Sequence, residues 1–293
     1  MKKSFAGLAL RHGAEVLLAA VMLLPALAAA EGAPRKALRV CQDPNNLPFS
    51  NAQGEGIENR IAELFGKALG LPVTYYSFSQ RAGAIAFLRN TLRFKLPDQD
   101  YPCDIVMAVP VGFDGISVTK PYYRSTYALV FPKGKGMDMV VSEDDFLRLD
   151  PARLKSLRIG VYDRSPASQW LNRHGLVDQG VPFPMMNADP EQYPGEIIQK
   201  DLVAGKVDAV IVWGPIAGFF ARRVQTPSLT VVPLKSEPGV RLDYQMAMGV
   251  RYGEREWKQQ IEGLIDSQAA QIQAILKDYG VPLLDAPLDA SAR

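Results

Sequence analysis

Between Leu38 and Phe131 the apolar positions switch their period repeatedly, from two residues to 3.6 and back. Leu38-Arg39-Val40-Cys41 reads as a short strand, and Gln42 to Asn51 as a polar, Pro-broken loop at its carboxyl end. From Gly56 to Gly70, the side chains of Ile57, Ile61, Leu64, Phe65, Ala68 and Leu69 fall on one stripe of an amphipathic helix, which Gly70 stops just ahead of Pro72. Val73 to Phe78 is β-branched and aromatic, as a strand should be. Ala84 to Phe94 predicts a second helix with Ile85, Leu88 and Leu92 inward. Pro102 to Val109 predicts a buried strand, and a Pro121-Tyr122-Tyr123 turn leads to the apolar strand Tyr127 to Phe131. Alternating helices and strands imply right-handed crossovers and a parallel sheet.

Lys133-Gly134-Lys135-Gly136 then forms a flexible crossing into a second unit of the same kind. It contains a strand from Arg158 to Tyr162, a helix opened by Asp163 to Ser168 that runs to about Arg173, and a helix from Glu196 to Ala204. A buried strand follows and ends at Trp213-Gly214-Pro215. Gly205-Lys206-Val207-Asp208 repeats the order of Tyr101-Pro102-Cys103-Asp104: a turn, an Asp, then an apolar strand. Leu229 to Pro233 and Tyr244 to Val250 are return strands, and Trp257 to Tyr279 predicts one long helix packed back on the first unit. The expected fold class is α/β and bilobal, two parallel-sheet lobes joined by crossing hinge strands. Lobe I spans 36–128, lobe II 129–240, and 241–293 returns to lobe I.

The first 30 residues stand apart. Lys2, Lys3 and Arg11 form a basic start, Val16 to Leu24 an apolar run too short to span a membrane, and Ala28-Ala29-Ala30 a cleavage site. Residues 1–30 thus read as a signal peptide cut near Ala30, the mature chain as periplasmic and without a membrane span. Three of the 33 basic residues and one of the 31 acidic ones, Glu15, lie in this leader. The mature chain is therefore formally neutral, and with no Lys/Arg stripe nucleic acid is not an expected partner.

Only two cysteines are present. If their strands pair in register, Cys41 ends one and Cys103 begins the other, roughly 13 Å apart and beyond the span of a disulfide. Two unpaired thiols are expected, or a staggered register. His12 leaves with the leader, so His174 is the only histidine of the mature chain. That excludes a His-based zinc or non-haem iron centre and the usual base of a hydrolase triad. In Asn172-Arg173-His174-Gly175, His174 is expected at a helix C-terminus. No catalytic, cofactor-binding or metal-ligating set is expected.

Ligands of open parallel sheets bind beyond the carboxyl ends of the strands. That rule gathers Asp43, Asn45, Asn46 and Phe49 after the first strand, Gln80 and Arg81 after the second, and Pro110, Phe113 and Asp114 after the third. From the second lobe it gathers Tyr162, Arg164, Ser165 and Trp213, and Tyr122 and Arg124, ahead of the crossing strand, are added as a candidate aromatic lining and a candidate carboxylate partner. Ser165 followed by Pro166 suits a helix N-cap, and that helix start also suits an anion. Arg81 and Arg124 have the geometry to pair a carboxylate or to remain solvated at the rim. Tyr122 and Tyr123 suit the core at least as well as a cleft. Glu58 suits the first helical turn through the helix dipole.

Over nearly its whole mature length the sequence resembles the type II extracellular solute-binding proteins. More narrowly it resembles the MxaJ/XoxJ group associated with PQQ-dependent alcohol dehydrogenases. The resemblance rests on Leu38 to Cys41, Asp43 to Asn51, Gly54 to Ala62, Cys103 to Met107, Val109 to Asp114, Thr119 to Tyr127, and Ala209 to Gly218. Amino-acid receptors of this superfamily hold an α-carboxylate with an Arg after the third strand, and Gly112 to Pro121 contains none. They hold the α-amino group with an acidic residue at the end of the second-lobe strand, where this chain has Trp213. A zwitterion would lose hydration there without evident partners. The resemblance implies a non-catalytic accessory protein of a PQQ-dependent, methanol-type dehydrogenase, with that enzyme or its c-type cytochrome as partner. The alternative is a receptor that delivers a small molecule to an ABC transporter.

Overall fold

The computed structural model describes residues 35–185, 189 and 191–284. The expected leader, its cleavage point near Ala30 and the last part of 241–293 lie outside the described residues. Among the described residues no helix is long and apolar enough to cross a membrane.

The first lobe opens with β1 (Leu38–Gln42), a small hairpin of β2 (Asn45–Asn46) and β3 (Ser50–Asn51), α1 (Ile57–Leu69) and β4 (Val73–Ser77). β1 and β4 pair in parallel, with Val40 opposite Tyr75. The α1 stripe buries Ile57, Ile61 and Phe65, and Gly70 closes the helix at φ 66°, a left-handed position that suits glycine. A 3₁₀ turn at Gln80–Ala82, α2 (Ala84–Asn90) and β5 (Val106–Pro110) follow. α2 ends at Asn90 rather than Phe94, where the Thr91 hydroxyl donates to the Phe87 carbonyl at 2.7 Å. Leu88 and Leu92 are buried as expected, but Ile85 is 61% exposed.

β5 begins at Val106 and not at Pro102, and the reading of the cysteines changes with it. Val40 bridges Ile105 in parallel, and the chain ahead of Ile105 bends instead of running extended. Cys103 is thereby carried back over Cys41, and the two form a disulfide with their Cα atoms 5.3 Å apart. The expected 13 Å separation assumed an extended strand from Pro102 onward.

β6 (Ser117–Pro132) is one long strand rather than a turn followed by a short one. The second lobe follows with α3 (Glu143–Leu147), α4 (Pro151–Ser156), β7 (Ile159–Tyr162), α5 (Pro166–Arg173) and β8 (Gly180–Phe183). Ile197–Leu202 is π-helical, where an ordinary helix was expected over Glu196 to Ala204. β9 (Ala209–Trp213), α6 (Gly214–Arg223) and β10 (Leu229–Pro233) complete this lobe, and β11 (Asp243–Val250), α7 (Arg255–Ser267) and α8 (Ala269–Asp278) return. The predicted single terminal helix is thus two, parted at Gln268. Trp257, Ile261, Ile272 and Leu276 of this pair join Leu38, Ile57, Ile61 and Phe65 in the core of the first lobe.

β7 lies between β8 and β9 in parallel. β6 receives β9, β10 and β11 antiparallel, so one seven-stranded mixed sheet, ordered β5-β11-β6-β9-β7-β8 with β10 on β6, runs through both lobes. The partner of β6 changes within one step: Thr126 is opposite Asp243 of β11, and Tyr127 is opposite Trp213 of β9. The second crossing, Leu234 to Leu242, is tied to the same point. The Tyr127 carbonyl accepts from the Leu234 N–H at 2.9 Å, and the Tyr127 N–H donates to the Leu242 carbonyl at 3.1 Å. A Cβ on Gly218 of α6 would sit 1.8 Å from the Gly280 carbonyl oxygen, so glycine is what allows this close approach to the end of α8. The architecture is the bilobal α/β fold expected, with antiparallel strands making the joint.

Candidate ligand cleft

The carboxyl ends of β1, β7 and β9 open onto one cleft of about 330 Å³, within the usual range for small-molecule sites. Asp43, Asn45 and Asn46 line it after β1, and Gln80, Arg81, Gly83 and Ala84 line it after β4. Asp43 fixes both loops: one carboxylate oxygen accepts from the Asn45 N–H at 2.9 Å and the other from the Gln80 N–H at 2.6 Å. The Asn45 side-chain amide reaches the opposite wall, donating to the Gln192 carbonyl at 3.3 Å.

That opposite wall is largely aromatic. Trp213 ends β9 and stacks edge-on against Tyr127 at 5.5 Å and against Tyr244 at 5.8 Å. Tyr162 ends β7 and donates its hydroxyl to the Pro194 carbonyl at 2.8 Å. Burial raises the pKa of Tyr127 and Tyr162 well above the ordinary phenol value, so both remain neutral donors. Tyr193, Met185 and Ile216 complete the apolar lining.

Ser165 occupies the N-cap position of α5, as its spacing from Pro166 predicts. Its hydroxyl does not cap the helix, however. The residue is 2% exposed, and its Oγ has no hydrogen-bond partner among the described residues. A buried hydroxyl without a partner is unusual, and this one lines the cleft.

Beside the cleft lies a cavity of about 40 Å³ lined by Cys41, Glu58, Gln80 and Phe113, among others. Glu58 is in the first turn of α1, where the dipole would favour its charge, but it is only 6% exposed. Burial first, and the Asp43 carboxylate second, push its pKa up to about 8. Burial thus favours the neutral carboxyl of Glu58, although it sits in a helical first turn.

The residues read from the sequence divide accordingly. The structure brings together Asp43, Asn45, Asn46, Gln80, Arg81, Tyr162, Ser165 and Trp213. The other expected residues lie outside this lining. Tyr122 is 2% exposed in the first-lobe core, its hydroxyl donating to the Met107 carbonyl at 2.7 Å. Arg124 pairs with Asp243 at 2.7 Å on the neighbouring strand. Phe49 packs on the Val130–Val212–Phe219 core, and Phe113 lines the smaller cavity. Pro110 sits in the sheet opposite Met246, while Asp114 and Arg164 are exposed. Arg164, at φ 57°, makes the turn that presents Ser165. The expectation failed where it took every loop at a strand end as lining. It missed Tyr127, which reads as hinge strand, and Tyr193 and Gln192, which follow β8 in a stretch without periodicity.

No protein-family model matches the sequence. The chain is 34% identical to the periplasmic binding protein XoxJ from Methylobacterium extorquens AM1, over 85% of this chain and all of that one, with a TM-score of 0.67. MxaJ from Methlophaga aminisulfidivorans MPT shares the fold, with a TM-score of 0.69 at 24% identity over 85% of this chain and 100% of that one. Protein MoxJ of Paracoccus denitrificans is 27% identical over 259 residues, 84% of this chain and 89% of that protein. With its bilobal fold and its cleft at the strand ends, the chain belongs to the XoxJ/MxaJ-like group of type II periplasmic binding proteins.

Proposed function

We propose that this chain is a non-catalytic periplasmic accessory protein of a PQQ-dependent, methanol-type alcohol dehydrogenase. In this reading its cleft engages a segment of that enzyme, or of its c-type cytochrome, during maturation, activation or electron transfer. The lobes, 36–128 and 129–240 with 241–293 returning, would grip the segment from two sides. The observation that carries the reading is the wall formed by Tyr127, Tyr162 and Trp213, with Trp213 at the strand end where an amino-acid receptor would carry its acidic anchor. Asp43 accepts a backbone N–H at each carboxylate oxygen, so its orientation is set by the two loops it joins. Aromatic walls with a few amides among them, here Asn45, Asn46 and Gln80, suit apolar or aromatic peptide side chains. The non-catalytic assignment rests on Ser165 having no imidazole beside it, since His174 is bonded to Glu237 outside the cleft lining.

The test is co-purification of the mature protein from periplasmic extract under gentle conditions. Near-stoichiometric recovery of a quinoprotein dehydrogenase or a c-type cytochrome is expected, and it should drop sharply for Trp213→Ala. Recovery of neither, or recovery that W213A leaves unchanged, rejects the reading. The cleft volume favours a second reading, a receptor for a small uncharged or aromatic solute. A ligand released on denaturation, with a ligand-dependent change in Trp213 fluorescence, would establish that instead.

A further inference from the structure

Outside the cleft lining, three potential donor groups of the second lobe converge. Glu143 begins α3, His174 follows the last residue of α5, and Glu237 lies between β10 and β11. One donor atom from each lies within 4.8 Å of the others. We propose that Glu143, His174 and Glu237 form a binding site for a divalent transition-metal ion, with zinc the best fit.

The first argument is spacing. Zinc binds imidazole nitrogen and carboxylate oxygen at about 2.0–2.2 Å, so two donors on one tetrahedral ion lie about 3.4 Å apart. The observed triangle needs only a modest side-chain contraction to reach that. His174 Nε2 and a Glu237 oxygen are already 3.0 Å apart. The second argument is charge. Two carboxylates share this small region, and Glu143 is 6% exposed. Arg173 approaches the second Glu237 oxygen at 3.6 Å, which compensates one carboxylate. A cation between the donors would compensate the other, and buried charges are kept when paired or metal-bound.

The third argument is the support around the donors. One oxygen of Glu143 accepts from the Trp170 indole N–H at 2.6 Å and the other from the Lys235 N–H at 2.9 Å. Each oxygen keeps a lone pair for an ion, and such outer partners orient metal ligands. The His174 ring rests against Trp170 with centroids 4.5 Å apart, which fixes its plane. One imidazole with two carboxylates favours zinc over magnesium or calcium, which prefer oxygen alone, and water would complete the shell. The exclusion drawn from the histidine count therefore applies to multi-histidine centres and leaves this mixed set open. A bound ion would link α3, the end of α5 and the crossing from β10 to β11.

The test uses the mature chain, stripped with a chelator and titrated with zinc by calorimetry, alongside His174→Gln and Glu237→Gln. Both residues are partly exposed, so neither change removes core; Glu143 is left intact because Trp170 depends on it. One zinc per chain is expected, bound roughly tenfold or more weakly by each variant. Cobalt added in place of zinc should quench Trp170 fluorescence in the native chain and not in H174Q. A chelator should reverse any zinc-dependent rise in Tm. Absence of saturable zinc binding by the native chain, or binding and quenching unchanged in both variants, overturns the proposal.

Discussion

The two lobes solve one local problem with the same residues in different surroundings. In each, an Asp just ahead of an apolar strand forks onto an Arg in, or directly ahead of, the neighbouring parallel strand. Arg39 holds Asp104 through two nitrogens at 2.7 and 2.9 Å, and Arg158 holds Asp208 through two at 3.1 Å. The backbone repeats as well: Asp104 N–H donates to the Arg39 carbonyl and Asp208 N–H to the Arg158 carbonyl. Asp104, however, also receives Arg35 at 3.0 Å and Arg251 at 2.6 Å, and its side chain is 1% exposed against 31% for Asp208. Arg251 in turn donates to the Cys103 and Leu92 carbonyls and to Glu254. The difference teaches that a motif's energetic weight comes from its burial and from its further partners.

The largest effect expected from this contrast is on stability. Asp104→Asn should cost about 3–5 kcal/mol by urea denaturation, because it removes the buried carboxylate on which Arg35, Arg39 and Arg251 converge and leaves Arg251 with Glu254 alone. Asp208→Asn should change the midpoint little, because water replaces the lost partner. Equal losses would break the comparison.

A second contrast lies within the first lobe, between carboxyls shifted in opposite directions. Burial alone would raise Asp104, but the hydrogen bonds from Arg39 and Arg251 and the charge of Arg35 hold it below the ordinary carboxylate value. Its contribution is present above the unfolded-state pKa and is lost as pH falls through the folded value. Glu58, raised from 4.5 to about 8, behaves the other way. Folding takes up its proton between those values, so stability declines as pH rises across that window. Glu58→Gln should remove that decline, worth roughly 3–5 kcal/mol at about 1.4 kcal/mol per pKa unit. Chemical denaturation at pH 5 and pH 8.5 measures it, and an unchanged slope would place Glu58 elsewhere.

The smallest effect separates two serines at helix starts in the second lobe. Ser142 accepts from the Asp145 N–H at the start of α3, and Ser142→Ala should cost about 1 kcal/mol. Ser165→Ala should cost less than about 0.5 kcal/mol, since its Oγ makes no bond among the described residues. Thermal unfolding of the two variants distinguishes a working cap from a helix start whose hydroxyl caps nothing. A large loss in Ser165→Ala would remove that distinction.

Much of the fold could be read from periodicity and punctuation. The α1 stripe with Gly70, the Ser165-Pro166 helix start and Trp213 at a strand end are local signals, and each element stands close to where the sequence puts it. What could not be read depends on residues distant in sequence. The Cys41–Cys103 bond follows from a bend ahead of Ile105. α2 turns Phe87 and Leu88 inward and leaves Ile85 exposed, a choice made by packing rather than by the spacing of its apolar residues. The cleft was legible where strands end and illegible where a loop arrives from elsewhere, as at Tyr193 and Gln192. The Glu143–His174–Glu237 group was hidden for the same reason, since its members are 31 and 63 positions apart.

The exchange of partners along β6 has a corollary for the cleft. Tyr127 is at once the first residue of β6 paired with β9 and part of the cleft wall. A molecule resting on Tyr127 and Trp213 therefore sits on the joint itself. The mouth of the same cleft is spanned by the bond from the Asn45 amide to the Gln192 carbonyl. What such a molecule meets at the base and what ties the two walls together at the mouth are thus separate sets of residues.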